Sequence, residues 1–340
     1  MTVLKSFRVA RFELALRALD PIKLPPHAGS TLRGGFGRAF RRIGCAASAL
    51  GADHCALGDR CPYHYVFETP VPAGSPILTN VGTAPRPFVI EPPLDTRGVY
   101  EPGAVIPVGL VLVGRAIDYL PYFIYAFEQL GAAGVGPGRG RFRVDSVASS
   151  RFGGVMTAVY DGTRRCLATD LPASGVDDLP QPPSAGTSIT LTFLTPTRLI
   201  HDGGNASPAE FHVLFRNVLR RVNFLNHFHC GGELGDVTAA LVAEAQLVRT
   251  VDSRLRWREW DRYSARQDRR VPMGGFVGEV RYEEELARLL PWLGIGEWVH
   301  VGKGVTFGLG RYRLEYEAHG AAPGPHVQAT NFEDTAHGRS

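Results

Sequence analysis

Apolar and polar residues alternate along several short segments of the chain, a pattern typical of strands that are buried on one face. The first of these segments, from Phe7 to Ala18, predicts an opening strand. A nearly continuous apolar run from Val105 to Val113 predicts a buried strand. In the second half of the chain, Ser188 to Phe193 and Phe276 to Tyr282 predict two more. Strands are therefore expected in both halves.

Helical spacing of apolar residues, at intervals of three and four, is found between these strands. One helix is predicted from Ser30, which would act as its N-cap, and another from Ile117 to Leu130. Ser207 to Glu210 combines a capping box with a proline and predicts the start of a third. A fourth is predicted from Glu284 to Leu293, and Trp298 to Val301 is expected to begin a strand.

Two glycine-rich segments, Gly134 to Phe142 and Gly304 to Tyr312, share the pattern G-V-x-x-G-x-G-R-aromatic. They lie 170 residues apart in a chain of 340 residues, which indicates an internal duplication. Each half begins with a strand and a helix and ends with a strand, a helix, a glycine-rich loop and a strand. We therefore predict an α+β fold of two tandem ferredoxin-like βαββαβ domains, with irregular insertions rich in proline and glycine.

The predicted domain boundaries follow from this repeat and from a proline-rich stretch between the halves. The N-terminal domain is expected to cover residues 1–170, with a cysteine-containing insertion, and residues 171–187 to form a linker. The C-terminal domain, with its glycine-rich loop, is expected to cover residues 188–319. Residues 320–340 are polar and are expected to form a flexible tail.

Composition restricts the protein class. With 44% hydrophobic residues the chain has enough apolar material for two cores, and its net charge of only +4 means that any nucleic-acid affinity must come from local basic patches. We find no apolar signal segment at the N-terminus, and the longest apolar run, Ala104 to Val113, is too short to span a bilayer. We therefore expect a soluble, cytoplasmic protein without a membrane partner.

Cysteine usage leaves a metal site open as an alternative. Five cysteines, an odd number, favour free thiols or a metal over a disulfide framework. Cys45, His54, Cys55 and Cys61 are close enough in sequence to hold zinc, but they lack the paired C-x2-C spacing of zinc knuckles. The favoured interpretation is a loop with incidental thiols, without metal or cofactor.

A stretch near residue 260 mixes basic and aromatic side chains. Trp257, Trp260 and Tyr263 are interleaved with seven arginines: Arg254, Arg256, Arg258, Arg262, Arg266, Arg269 and Arg270. Guanidinium groups bind phosphates and aromatic rings stack on bases, so the stretch favours RNA contact, above all through Arg262, Arg266, Arg269 and Arg270. The alternative is a solvated basic face, partly neutralised by neighbouring acidic residues.

The second glycine-rich segment is a candidate for binding a phosphate chain. Glycine runs allow close backbone approach, and their free N–H groups next to a lysine suit an anion. The candidate residues are Gly302, Lys303, Gly304, Gly308 and Gly310. The alternative is a tight turn between two elements.

His27 is the candidate for proton transfer. It follows a proline-rich stretch and precedes a predicted helix that carries Arg33, Arg38, Arg41 and Arg42. An unperturbed imidazole pKa of about 6.5 suits acid–base chemistry at neutral pH, although a histidine in such a loop can also be structural or simply exposed. The sequence contains no G-x-x-x-x-G-K-[ST], H-E-x-x-H or G-x-S-x-G motif, which removes support for ATPase, zincin and serine-hydrolase activities.

The segments 263–278 and 296–310 resemble the CRISPR precursor-RNA-processing endoribonucleases of the RAMP superfamily. The resemblance is specific over about residues 190–315. It is looser in the N-terminal half, where Leu24 to Gly34 and Cys61 to Tyr63 carry it. It implies tandem ferredoxin-like domains of the RAMP type, in agreement with the duplication.

The resemblance also implies a reaction, in which the protein cuts a precursor transcript within its CRISPR repeats without a metal ion. The 2′-hydroxyl of the RNA attacks the scissile phosphate and leaves a 2′,3′-cyclic phosphate and a 5′-hydroxyl. Family members often place a histidine before the first helix, which implies an acid–base role for His27, with Arg38 and Arg41 as electrostatic stabilisers. Arg33 and Arg42 are then expected to contact RNA.

Two alternatives to an endoribonuclease remain open. One is a catalytically inactive RAMP-type subunit that holds RNA in a CRISPR effector complex. The other is an unrelated RNA-binding module of RRM-like folds. The expected partners are CRISPR repeat RNA and, in the first alternative, an effector complex, and the chain itself is expected to be a monomer or a homodimer.

Overall fold

The computed structural model describes residues 2–45, 57, 60–72, 74–75, 78, 83–95, 97–180, 188–233, 238–264 and 269–317. The predicted tail at 320–340 and the second part of the predicted linker, 181–187, lie outside these residues. Residues 171–180 of that linker are described, and Ser174 exchanges two backbone hydrogen bonds with Val9, at 2.7 and 2.9 Å.

The N-terminal half is built on a six-stranded antiparallel sheet with strand order β3-β5-β1-β6-β7-β8. Its strands, including the separate two-stranded ladder of β2 and β4, are β1 (Val9–Ala18), β2 (Ile22–Lys23), β3 (Phe88–Glu91), β4 (Val99–Tyr100), β5 (Val105–Val113), β6 (Phe142–Ser150), β7 (Thr157–Asp161) and β8 (Cys166–Leu167). Helices α1 (Gly29–Gly44) and α2 (Leu120–Ala133) cover one face.

The C-terminal half repeats the arrangement with a four-stranded sheet of order β12-β15-β9-β16. Its strands are β9 (Ser188–Thr197), β10 (Leu199–His201), β11 (Gly204–Ala206), β12 (Arg249–Arg258), β13 (Asp261–Ser264), β14 (Arg269–Pro272), β15 (Gly275–Glu283) and β16 (Tyr312–Glu317). Its helices are α3 (Phe211–Cys230), α4 (Thr238–Leu247) and α5 (Leu290–Val299).

Both halves have the ferredoxin-like strand order. In each, the first strand lies in the middle of the sheet between the third and the fourth, and the second lies at the edge beyond the third. In the N-terminal half these four strands are β1, β3, β5 and β6, and in the C-terminal half β9, β12, β15 and β16. The predicted α+β fold with two tandem ferredoxin-like domains is confirmed.

Hydrophobic alternation explains why the N-terminal sheet is buried on both faces. On β1, Phe12, Leu14 and Leu16 are buried against the N-terminal helices. Val9 and Val111, on the opposite face of that sheet, belong to a buried cluster that also holds the core of the C-terminal half. The N-terminal sheet is therefore covered by its own helices on one side and by the other half of the chain on the other.

Three predicted element boundaries are wrong. Helix α5 begins at Leu290, with Pro291 in its first turn, and contains Trp298, which was expected to begin a strand. Helix α3 begins at Phe211, because the Ser207 hydroxyl accepts the Ala209 N–H in a turn that precedes the helix. Helix α1 begins at Gly29, before the expected cap, and has no side-chain cap.

Among the described helices, none combines the length and the apolar composition that a bilayer crossing requires.

Candidate active site

A cleft of about 280 Å³ separates the start of α1 from the sheet of the C-terminal half. Its N-terminal wall is formed by Pro26, His27 and residues 92–94. Its C-terminal wall is formed by β9, β12 and β15 and by the tip of the glycine-rich loop from Phe307 to Leu309. Residues from both halves are needed to form the cleft.

His27 lies in this cleft, two residues before helix α1 begins. Its ring centroid is 4.4 Å from that of Trp260, with the two planes tilted by 45°. Burial, and after it the positive charge of Arg258, lowers the pKa of His27 to about 4. The imidazole is therefore neutral at pH 7 and has a lone pair with which to accept a proton, as a general base requires.

Three arginines of β12 line the same cleft. Arg254, Arg256 and Arg258 stand at every second position, so they share one face of the strand. Trp257, between two of them, belongs to the opposite face, where its ring meets Phe276 edge-on with centroids 5.1 Å apart. The cleft thus combines a neutral imidazole with guanidinium groups that suit a phosphate.

The second glycine-rich loop lies between the two halves and contacts the N-terminal one closely. A side chain at Gly29 would place its Cβ 2.0 Å from the Phe307 carbonyl oxygen, and one at Gly308 would place it 2.4 Å from Pro92 Cδ and 2.9 Å from the Ile90 carbonyl oxygen. The guanidinium of Arg33 lies 5.3 Å from the centre of the Phe307 ring. The loop therefore fixes the start of α1 against the C-terminal half.

Several backbone N–H groups of this loop donate hydrogen bonds to carbonyl oxygens of the protein itself. The N–H groups of Lys303 and Gly310 donate to the carbonyl oxygens of Arg198 and Pro196, at 3.0 and 3.1 Å. Those of Phe307 and Gly308 donate within the loop, both at 2.9 Å. Three of the donors expected to hold a phosphate chain, those of Lys303, Gly308 and Gly310, are thus occupied, and the loop acts first as a structural element.

A buried charged network lies beneath the loop. Glu91, at the end of β3, is only 3% exposed and accepts hydrogen bonds from Arg11 Nη2 at 2.7 Å and Arg11 Nε at 3.1 Å. Arg311 Nε lies 3.7 Å from the other carboxylate oxygen. Burial works against ionisation of Glu91, but the hydrogen bond with His300 and the charges of Arg11 and Arg311 hold the pKa of Glu91 well below its usual range.

His300 connects this network to the glycine-rich loop. Its Nδ1–H donates to the Leu309 carbonyl oxygen at 3.0 Å, and its Nε2 lies 2.8 Å from Glu91 Oε1. Burial lowers the pKa of His300, although Glu91 opposes that shift. His300 therefore links Glu91 of the N-terminal half to the glycine-rich loop of the C-terminal half.

The remaining arginines of α1 point away from the cleft. Arg38 lines a second cavity. Arg41 lies over the Tyr63 ring, 5.9 Å from its centre, and Arg42 donates to Gln129 at 3.1 Å. The structure does not bring Arg38 and Arg41 together with His27, and among the arginines of this helix Arg33 is the one that contacts the loop.

Two sets of predicted site residues lie partly outside the described part of the chain. The strands β13 and β14 pair as a hairpin whose backbone carries Arg262, Arg269 and Arg270, but their side chains and the whole of Arg266 are not described. His54 and Cys55 also lie outside, so the zinc alternative stays a prediction. Cys61 is buried and its thiol donates to the Gly44 carbonyl oxygen at 3.3 Å, and Cys45 is a free thiol.

The other candidate glycines lie around the loop. Gly302 and Lys303 contact Arg198 and do not line the cleft, and the Lys303 side chain is exposed. Gly304 packs against Leu309 and Met273. Gly310 is buried, and a Cβ there would lie 1.8 Å from the Val301 carbonyl oxygen. Of the five loop residues that the sequence suggested, Gly308 is the one that lines the cleft.

Sequence reasoning missed the network and part of the cleft. Glu91 and His300 are 209 residues apart, and nothing in the local pattern connects them. By contrast, the alternate spacing of Arg254, Arg256 and Arg258 is visible in the sequence and indicates a strand with one basic face. That signal could have placed these three arginines, rather than the following four, at the site.

Two family models match the chain, one in each half. Residues 7–171 match a model described as an N-terminal domain, and residues 191–312 match the model of CRISPR-associated endoribonuclease Cas6. The resemblance predicted over about residues 190–315 is confirmed by this match. An uncharacterized protein of Archaeoglobus fulgidus is 26% identical over 312 residues, which cover 91% of this chain and 99% of that protein.

Solved Cas6 structures share the fold over most of the chain. A Cas6 product complex aligns with a TM-score of 0.52 and 16% identity over 89% of this chain and 98% of its own. A Cas6 of Thermus thermophilus aligns with a TM-score of 0.51 and 14% identity over 91% of this chain and 99% of its own. A chain of a partial Cas6-RT-Cas1–Cas2 complex aligns with a TM-score of 0.55 and 14% identity, covering 94% of this chain and 48% of that chain.

Proposed function

We propose that this protein is an endoribonuclease that binds CRISPR repeat RNA and cuts the precursor transcript. The observation that carries the proposal is the cleft between the halves, where neutral His27 faces the basic strand β12 and the tip of the glycine-rich loop. The region that matches the Cas6 model, residues 191–312, supplies one wall of that cleft. Such an enzyme would meet its transcript in the cytoplasm.

The cleft supports cleavage by the RNA's own 2′-hydroxyl. His27 accepts the proton of that hydroxyl, and the oxygen attacks the adjacent phosphorus. As the bond from phosphorus to the 5′-oxygen breaks, a 2′,3′-cyclic phosphate forms. The leaving oxygen takes up a proton from water and becomes a 5′-hydroxyl, and His27 releases to solvent the proton that it accepted. Arg256 and Arg258 stabilise the charge that develops on the phosphate oxygens.

Trp260 gives the cleft a surface for a base. Its ring packs against His27, so a nucleotide next to the scissile phosphate would stack beside the imidazole. The names of the structural relatives are consistent with an RNA partner, since one Cas6 was solved as a product complex. Another relative belongs to a Cas6-RT-Cas1–Cas2 complex, which makes association with other CRISPR proteins a second expected property.

One substrate change tests the proposal. The protein is incubated with a repeat RNA and with the same RNA carrying a single 2′-deoxy nucleotide 5′ of the cut, each with and without EDTA. We expect cleavage of the all-ribo RNA to cyclic-phosphate ends, no cleavage of the deoxy RNA, and little change in affinity, because only one of many sugar contacts is lost.

Each of the other outcomes would contradict part of the proposal. Cleavage of the deoxy RNA would exclude attack by the 2′-hydroxyl, and inhibition by EDTA would indicate a metal-dependent reaction instead. Tight binding of both RNAs with cleavage of neither would identify the inactive RAMP-type subunit. Absence of binding would contradict both RNA-based functions.

A further inference from the structure

A second cavity, of about 700 Å³, lies on the other side of the segment that ends at Pro26. Pro26 lines both this cavity and the His27 cleft, so the two are neighbours across one turn of chain. The walls of the second cavity are residues 23–26, helix α1 and the first glycine-rich loop, Gly134 to Arg139. The proposed cleavage chemistry does not use this cavity.

The cavity is basic and its cations are free. Lys23, Arg38 and Arg139 line it, and its described lining contains no acidic residue. Within the described part of the chain, none of these three side chains takes part in an ion pair. Many other arginines do, and Arg141, two residues beyond the loop, pairs with Asp20 at 2.7 Å. Like charges that converge on one cavity without a counter-charge favour an anion there.

The floor of the cavity has space that the protein itself does not fill. A Cβ at Gly34, inside helix α1, would meet no atom within 4 Å, whereas one at Gly35 would lie 2.5 Å from Leu130 Cδ1. Glycine inside a helix lowers its stability relative to alanine, so Gly34 destabilises helix α1. No packing contact of the described residues requires a glycine at this position. A ligand that lies on the bare helix surface would explain the glycine.

We propose that this cavity binds backbone phosphates of the RNA strand that runs out of the His27 cleft across Pro26. This inference rests on the proposed function, because the same RNA must occupy both sites. Arg38 and Arg139 supply planar guanidinium groups for phosphate oxygens, and Lys23 adds a third charge. Gly138, at the loop tip, has no atom within 4 Å of its Cβ position and leaves room for the strand. Arg38 is therefore a binding residue of this second site, not an electrostatic stabiliser of the cut.

The test measures the salt dependence of binding to repeat RNA for the full chain. The variant Arg38→Ala/Arg139→Ala is compared with Arg141→Ala, which removes a nearby exposed arginine that does not line the cavity. Each phosphate contact in single-stranded RNA contributes about 0.7 to the slope of log K against log salt, so the double variant should lose about 1.4. At moderate salt we expect binding at least tenfold weaker, and we expect no change for Arg141→Ala.

A second variant fills the cavity without removing charge. Gly34→Leu should keep or raise the melting temperature, because the position is helical and open, and should weaken RNA binding by blocking the floor. Wild-type affinity and slope in both variants, with intact cleavage by the wild-type protein, would overturn the second site and leave the proposed function standing. If the wild-type protein binds no repeat RNA, the proposed function and this site are both wrong.

Discussion

The two glycine-rich loops have the same sequence pattern and the same position in their domains, yet they make different contacts. The C-terminal loop reaches into the other half, where Gly308 meets Pro92 and Ile90. At the equivalent position of the N-terminal loop, a Cβ on Gly138 would meet nothing within 4 Å. One copy joins the two halves of the chain, and the other borders an open cavity.

The residues between the shared glycines explain the difference. Leu309 is only 5% exposed, and its backbone carbonyl accepts the hydrogen bond of His300. Arg139, at the equivalent position, is exposed and lines the basic cavity. The same glycine pattern can thus be kept while the side chains between the glycines change from an interdomain contact to a cationic surface.

The arginine that follows each loop shows the same contrast. Burial lowers the pKa of Arg311, and the neighbouring carboxylate of Glu91 opposes that shift. Arg141 is exposed and pairs with Asp20, whose pKa is lowered by the hydrogen bonds that it accepts from Arg141. Equivalent positions therefore hold one buried and one solvent-exposed ion pair. Breaking the buried pair is expected to destabilise the protein much more than breaking the exposed one.

The substitution Gly308→Val should have the largest effect on folding. The residue has a φ of +82°, and a Cβ would lie within 3 Å of Pro92 and of a backbone oxygen, so both strain and steric clash result. We expect a loss of roughly 3–4 kcal/mol of unfolding free energy, from left-handed strain and overpacking together. Chemical denaturation followed by fluorescence measures it.

The matched control for this change is Gly138→Val in the other loop. It adds the same side chain at the equivalent position, where the structure leaves space, and should leave unfolding nearly unchanged. Equal destabilisation by the two substitutions would contradict the asymmetry between the loops.

Removal of the Glu91 carboxylate should have the next largest effect. Glu91→Ala removes the buried carboxylate that lies 2.7 Å from Arg11 and 3.7 Å from Arg311, so both guanidinium groups lose this ion pair at the interface. Breaking a buried pair in this way costs about 3 kcal/mol or somewhat more, although Arg11 remains 24% exposed and water reduces the effect. The same denaturation experiment reports the change.

The control for the carboxylate is Asp20→Ala, which breaks the equivalent exposed pair with Arg141. We expect no detectable shift in the unfolding midpoint, since exposed pairs contribute little. If Glu91→Ala were as stable as Asp20→Ala, the buried network would have no role in holding the halves together.

Much of the fold could be predicted from hydrophobic spacing and from the repeat. The strand at Val105–Val113 and the helix that carries Phe36 and Phe40 were predicted because their apolar residues face a core. Strand β12 was not predicted, because it lies at the edge of its sheet and most of its residues are exposed. Without a buried face, its sequence shows charge rather than alternation of apolar residues.

The candidate site was harder to predict, because its parts meet only through the fold. His27 was suggested by its place before the first helix, but its neighbours Trp260 and Arg258 come from the other half of the chain. Arg38, which follows His27 on helix α1, lines another cavity because its position on the helix does not place it in the cleft. The spacing of residues along the sequence shows which of them share one side of a helix. It does not show which other helix, strand or loop packs against that side.

The most direct test of the central claim, that the cut occurs in the cleft at His27, is the single-turnover cleavage rate of His27→Ala, measured with the protein in excess of the repeat RNA and above the dissociation constant. We expect a rate 10²–10⁴ times slower than that of the wild type, the usual contribution of a general base, with RNA affinity nearly unchanged. A parallel His201→Ala variant, in a side chain outside the cleft lining, should cleave at the wild-type rate. Cleavage by His27→Ala at the wild-type rate would contradict the account and remove His27 from the mechanism.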